Sequence, residues 1–154
     1  MVREAIFDAL AARGADLSRV LDVYAGSGAL GIEALSRGDG RCDFVERDAA
    51  NAAFIRENLS AAGLEGRGTV HRLAAERAAG RLEGPYSLIL ADPPYNDEAA
   101  PGIMEQIARS ALVGPETTLV LEHSSRREPP TELGPLPLAW CRRYGDTQVA
   151  IYRR

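Results

Sequence analysis

The ten residues Asp22-Val23-Tyr24-Ala25-Gly26-Ser27-Gly28-Ala29-Leu30-Gly31 constrain the fold of this chain more than any other stretch. They lead out of an apolar run, Arg19 to Tyr24, that reads as a buried strand, and into Ala29 to Arg37, which has helical spacing and stops at Gly38. A G-x-G-x-x-G turn in that position lets the chain reverse tightly and lets a ligand approach the backbone.

The same alternation continues along the chain. Arg3 to Arg13 is a helix ended by Gly14, Cys42 to Glu46 a second strand, and Asp48 caps a helix whose Ala52, Ile55 and Leu59 share one face, with Gly63 just past its end. Thr69 to Leu73 is a third strand, Ala74 to Leu82 a helix interrupted by Gly80, Ser87 to Ala91 an apolar fourth strand, Ile103 to Ala111 a helix and Thr117 to Glu122 a fifth strand. Pro129, Pro130, Pro135 and Pro137 then preclude helix and mark an extended loop. Leu138 to Tyr144 and Gln148 to Tyr152 flank Gly145-Asp146 and read as an antiparallel hairpin. Strands alternating with helices predict an α/β fold, a mostly parallel sheet with helices on both faces, in one domain over 1–154.

Composition narrows the function. With 45% hydrophobic and 26% charged residues, the 154-residue chain can bury a core without staples. Cys42 and Cys141 have no CxxC spacing, and His71 and His123 are isolated, so neither disulfides nor a metal site is expected. No apolar run approaches the length of a membrane span, and the acid and base in Met1 to Phe7 are unlike a signal peptide, which predicts a cytoplasmic protein. The net charge of −4 argues against generic polyanion binding. All 18 basic residues are nevertheless arginines, whose planar forks suit phosphate, and Arg126-Arg127, Arg142-Arg143 and Arg153-Arg154 are paired. For any single pair, compositional bias and solvated surface are the better explanation.

Two segments carry chemistry. Glu46 ends the strand after the glycine turn, where a carboxylate can accept hydrogen bonds from ribose hydroxyls, so a nucleoside-type cofactor is expected. NAD and S-adenosylmethionine both offer that ribose. Asp22 suits a cationic ligand better than a pyrophosphate, although it could instead anchor the amides of the turn. Asp92-Pro93-Pro94-Tyr95 stands at the carboxyl end of the fourth strand, where open α/β sheets bind ligands. The prolines stiffen the loop, so that the Asp92 carboxylate and the Pro93 carbonyl form a fixed pair of acceptors. Such a pair can bind both hydrogens of an exocyclic amino group and aim the nitrogen lone pair at an electrophile, while Tyr95 offers a stacking face.

These residues resemble the Rossmann-like class I methyltransferases with a [D/N]-P-P-[Y/F/W] motif. Val2 to Phe7, Leu21 to Gly38, Phe44-Val45-Glu46, Asp92 to Tyr95, Leu121 to Ser124 and Arg143 to Thr147 resemble the RsmD family in particular. That resemblance implies a seven-stranded sheet with a C-terminal antiparallel hairpin. It also implies S-adenosylmethionine as cofactor, and methylation of guanine N2 at position 966 of 16S rRNA or of the assembling small ribosomal subunit. Asp92, Pro93, Pro94 and Tyr95 are then the implied catalytic set, and Asp22, Tyr24, Gly26, Ser27, Gly28, Gly31, Glu46, Arg47, Ala74 and Ala75 the cofactor set. Two departures stand out: Leu73-Ala74-Ala75-Glu76 replaces the usual Asp or Asn near the adenine, and the basic segment that precedes the first helix in relatives is absent, so an N-terminal extension is expected to be missing. A monomer is expected. The alternatives are an adenine, cytosine or protein-glutamine amino methyltransferase, or a non-catalytic nucleotide-binding or RNA-scaffolding module.

Overall fold

Residues 2–154 are described by a computed structural model. Helix α1 (Val2–Ala12) precedes β1 (Arg19–Val23), α2 (Ala29–Arg37), β2 (Arg41–Val45), α3 (Ala49–Ala61) and β3 (Gly68–His71). Then follow the single turn α4 (Ala78–Arg81), β4 (Tyr86–Ala91), α5 (Ala100–Ala108), β5 (Val113–Ser124), β6 (Glu132–Leu133), β7 (Leu136–Tyr144) and β8 (Thr147–Tyr152). The strands form one sheet in the order β3-β2-β1-β4-β5-β8-β7-β6. The first five are parallel, and β8 inserts antiparallel between β5 and β7. The α/β sheet is the one that the alternation predicts, and its antiparallel end is the one that the family resemblance implies.

Side-chain alternation divides the core into two halves. Val20, Phe44, Leu88, Leu90 and Val120 meet α1, α2 and α3 through Phe7, Leu10, Leu35 and Ile55. Leu21, Val45, Ile89 and Leu119 meet α5 through Met104 and Ile107. Because side chains repeat with period two along a strand, the register also fixes what stands just beyond the core at the carboxyl ends. Val23 is paired with Val45 and with Ala91, and Ala91 with Leu121. Positions 22, 46, 92 and 122 therefore share the face of Phe44 and Leu90. All four are acids.

The structure departs from expectation in four elements. The helix expected over Ala74 to Leu82 is a 3-10 turn at Ala75–Arg77 followed by the four residues of α4. Ala74 is extended and Gly80 is a poor helix former, so no longer helix propagates. Helix α5 starts at Ala100, earlier than Ile103, because Pro101 fits a first helical turn. It stops at Ala108, where the Ser110 hydroxyl donates to the Ile107 carbonyl at 2.7 Å. Strand β5 reaches back to Val113 across an irregularity bridged by Thr117, whose hydroxyl donates to the Tyr86 carbonyl and accepts from the Gly114 amide. Seven strands become eight because Glu132–Leu133 pairs with Leu136 and Pro137, so that Pro137 lies in β7 and not in a loop. A proline near the start of a strand costs the ladder only one donor.

Candidate active site

The carboxyl ends of β1, β2, β4 and β5 open into a crevice of about 970 Å³. Its wall includes Asp22, Tyr24, Gly26, Ser27, Glu46 and Arg47 on one side and Asp92, Pro93, Pro94, Tyr95 and Glu122 on the other. Leu73, Ala74, Ala75 and Glu76 line it as well. The two segments that carry chemistry in the sequence thus face one cavity, from the adjacent strands β1 and β4. Known small-molecule pockets span about 300–1,000 Å³, so there is room here for a nucleoside cofactor together with part of a second ligand.

On the glycine-turn side the backbone is shaped by left-handed residues. Tyr24, Gly26 and Gly28 have φ of 59°, 59° and 82°. Only glycine adopts this conformation freely, so Tyr24 is the strained member, of the type found at ligand clamps. Its hydroxyl is buried without a hydrogen-bond partner among the described residues. Burial, with the negative charges of Asp97 and Glu76 nearby, pushes the phenol up to about 12. An orphaned donor in a crevice wall is a group that a bound ligand can satisfy.

Glu46 is held by two amides, Gly26 N–H at 2.8 Å on Oε1 and Asp48 N–H at 2.9 Å on Oε2. A carboxylate has about four lone-pair sites, so two remain for ligand hydroxyls. Asp22 does anchor the turn: its Oδ2 accepts the Gly31 amide at 2.9 Å. It is buried, and loss of hydration followed by repulsion from Asp92 and Glu46 holds its carboxyl well above the usual range, against the pull of the Gly31 bond. A buried acid of this kind is stabilised by an arriving cation.

Gly28 and Gly31 are absent from the crevice wall. They pack against Phe44. A Cβ on Gly31 would lie 2.4 Å from Phe44 Cε1 and 2.8 Å from Cys42 Sγ, and one on Gly28 would lie 3.3 Å from the same ring atom. Helix-to-strand packing requires glycine at Gly31, whereas at Gly28 the left-handed backbone favours it and Ile55 and Phe44 leave little room.

The opposite wall is the Asp-Pro-Pro-Tyr loop. The Pro94 carbonyl accepts the Asp97 amide at 3.1 Å, which closes the loop, whereas the Pro93 carbonyl accepts no bond from the described residues. Tyr95 is 54% exposed, and its hydroxyl is hydrogen-bonded to Thr147 Oγ1 at the hairpin turn. The aromatic face is thereby tied to the Tyr-Gly-Asp-Thr segment, 52 residues away in sequence.

Glu122 was not among the residues singled out for chemistry, yet it stands beside Asp92 in the register and within hydrogen-bonding reach of it. Solvent reaches Asp92 across the crevice, but the walls remove enough of its hydration to raise its carboxyl, while the bond from Glu122 lowers it. Burial, the Asp92 charge and that same bond push Glu122 up to about 7. Two carboxyls this close resist ionising together. The sequence signal was present: every parallel strand that reaches the crevice, at 22, 46, 92 and 122, ends on an acid of one parity.

Among the described residues there is no cluster of His, Cys, Asp and Glu able to hold a metal, and no helix is long and apolar enough to cross a membrane. The arginine pairs remain largely exposed, although Arg153 donates to the Arg13 carbonyl at 2.9 Å.

The family model described as conserved hypothetical protein 95, which represents the RsmD family, matches residues 1–153. The chain belongs to that family. It is 36% identical over 156 residues to the "Putative rRNA methyltransferase YlbH" of Bacillus subtilis, covering 99% of this chain and 84% of that protein. A solved structure, "Putative methyltransferase yhhF from Escherichia coli", superposes with a TM-score of 0.86 at 26% identity, over 99% of this chain and 83% of that one. A tRNA1(Val) (adenine(37)-N6)-methyltransferase of Salmonella typhimurium is 34% identical over 112 residues, 70% of this chain but 46% of that protein.

Proposed function

We propose that this protein uses S-adenosylmethionine to methylate the exocyclic N2 of a guanine in 16S rRNA, guanine 966, on the small ribosomal subunit. The observation that carries the proposal is the meeting, across one crevice, of the glycine turn with its clamped Glu46 and the stiff Asp92–Tyr95 loop. Membership of the RsmD family supports the same reading. Asp22, Glu46, Asp92 and Glu122 line the crevice with acids that an arriving cation would favour in their ionised form, which suits a sulfonium and an ammonium and disfavours a pyrophosphate. The cofactor contributes an electrophilic methyl group. All positioning is done by the chain.

Glu46 offers its two remaining lone-pair sites to the ribose. The backbone of Leu73 to Ala75, with Glu76, borders the space for the adenine, and the side chain of Ala74 cannot hydrogen-bond to it. Asp92 and the Pro93 carbonyl each accept one hydrogen of the target amino group, leaving the nitrogen lone pair free to attack. Such alignment can contribute up to about 7–11 kcal/mol. Tyr95, steadied by Thr147, stacks on a base that has left its helix, because an amino group engaged in pairing is out of reach. A methyl group supplied by the bound cofactor would leave the nitrogen with one surplus proton, which Asp92 or Glu122, both in the crevice wall, would accept.

Labelled-methyl transfer to small subunits from cells lacking the modification, followed by nucleoside analysis, tests this. N2-methylguanosine is the expected product. Asp92→Ala should abolish turnover while S-adenosylmethionine still binds; retained turnover removes Asp92 from the mechanism. The kinship with an adenine-N6 enzyme favours adenine as the second reading, and N6-methyladenosine in the same analysis would establish it.

A further inference from the structure

Asp92 alone explains how an amino group is held but not which base carries it, since guanine, adenine and cytosine all present one. They differ at the ring position beside it. Guanine has an N1–H donor there, whereas adenine N1 and cytosine N3 are lone-pair acceptors. The group that faces this ring position decides among them.

Glu122 is so placed. Leu121 pairs with Ala91 in the parallel β4–β5 ladder, so Glu122 and Asp92 are opposite each other on neighbouring strands, project from the same face and line the same crevice. An amino group held by Asp92 and the Pro93 carbonyl presents the adjacent ring edge to the next strand. We propose that Glu122 is the specificity-determining residue: its carboxyl oxygen accepts the N1–H of guanine and rejects bases that have a lone pair at that position. This rests on the guanine-N2 reading above and extends it from the reacting atom to the choice of base.

The chemistry of the pair makes the rejection strong. Whether or not Glu122 holds a proton, each carboxyl keeps an oxygen that can only accept. Guanine supplies three donors, N1–H and the two amino hydrogens, for three acceptors, Glu122, Asp92 and the Pro93 carbonyl. An adenine could be tolerated only if Glu122 held a proton and turned it to the adenine N1, which ionisation of Glu122 at alkaline pH removes. A site built to pair with a donor discriminates strongly against a base lacking it, because its own polar groups are left unpaired.

The test uses small subunits reconstituted with 16S rRNA carrying either guanine or 2-aminopurine at the target position. Both bases have the same N2 amino group, but N1 of 2-aminopurine is an acceptor. Wild-type protein at alkaline pH should prefer guanine on the order of 10- to 100-fold in kcat/KM. Glu122→Gln has the same shape, and its amide can donate as well as accept. It should retain transfer to guanine at a reduced rate and raise transfer to 2-aminopurine, narrowing the preference to within about threefold. A parallel Asp92→Asn variant should lower both substrates by the same factor, since Asp92 touches only the group they share. If Glu122→Gln lowers both equally, or if wild type does not prefer guanine, Glu122 does not read the base, while the guanine-N2 activity stands. If wild type transfers nothing to the guanine subunits, the functional reading itself fails, and this assignment with it.

Discussion

A single methyl group added to Gly31 tests whether the third glycine of the turn serves packing or ligand approach. The Ala Cβ would lie 2.4 Å from Phe44 Cε1, 2.9 Å from Cζ and 2.8 Å from Cys42 Sγ, where ordinary contact begins at 3.4 Å. The ring cannot swing aside. Phe44 is fully buried, and hypothetical Cβ atoms would reach within 3.3 Å of Cε1 from Gly28 and within 3.1 Å of the opposite edge, Cε2, from Gly68, so the ring sits in a slot made by three glycines. Overpacking of this type costs about 1–3 kcal/mol. Against that, replacing glycine by alanine inside α2 returns up to about 1 kcal/mol of helix propensity. The net loss is about 1–2 kcal/mol, which for a domain of this size lowers Tm by roughly 2–8 °C.

Thermal and urea unfolding of wild type, Gly31→Ala, Phe44→Leu and the double variant would measure the coupling. The smaller leucine side chain introduced by Phe44→Leu leaves room for the new methyl, so the double variant should be more stable than the sum of the single losses predicts, by about 1 kcal/mol. Since the Gly31 amide survives and still donates to Asp22, S-adenosylmethionine affinity should fall no more than a displaced α2 explains. Unchanged stability with abolished cofactor binding would refute the packing argument and make Gly31 a ligand-contact residue.

Other perturbations address the acids and the aromatic shelf. Asp22 has a raised folded-state value, so the native state holds a proton that the unfolded chain releases, and its contribution to stability falls as pH rises above the ordinary carboxylate range. Asp22→Asn should therefore make the free protein more stable at neutral pH and flatten that dependence, while weakening S-adenosylmethionine binding; a destabilised Asn variant in pH-dependent denaturation would contradict this. Thr147→Val removes the partner of the Tyr95 hydroxyl and should raise KM for subunits severalfold with cofactor affinity unchanged, as read by steady-state kinetics and calorimetry.

Much of the fold was legible because its signals are local. The five parallel strands are apolar runs ended by turn residues, and Asp48 caps α3 as expected, accepting the Asn51 amide at 2.9 Å. What escaped reading depends on distant partners. Glu132–Leu133 becomes a strand only because the proline-rich stretch after it returns alongside. Gly31 read as a ligand-approach glycine, and the atoms that leave no room for a side chain there belong to Phe44 and Cys42 on the next strand. Glu122 lies within the family-like stretch Leu121 to Ser124 but had no chemical role assigned to it, and its neighbour Asp92 lies thirty residues away; only the parallel register joins them. The bond between Tyr95 and Thr147 is likewise invisible until the hairpin closes the sheet.

The uniform parity of the strand-end acids also bears on turnover. Acids gathered at one cavity would favour a methyl donor for its positive sulfur, and the spent thioether left after transfer carries no such charge. The same electrostatic field that draws the loaded form in therefore relaxes its grip on the exhausted one, so that exchange is helped by the loss of a cation, with no hinge or lid required.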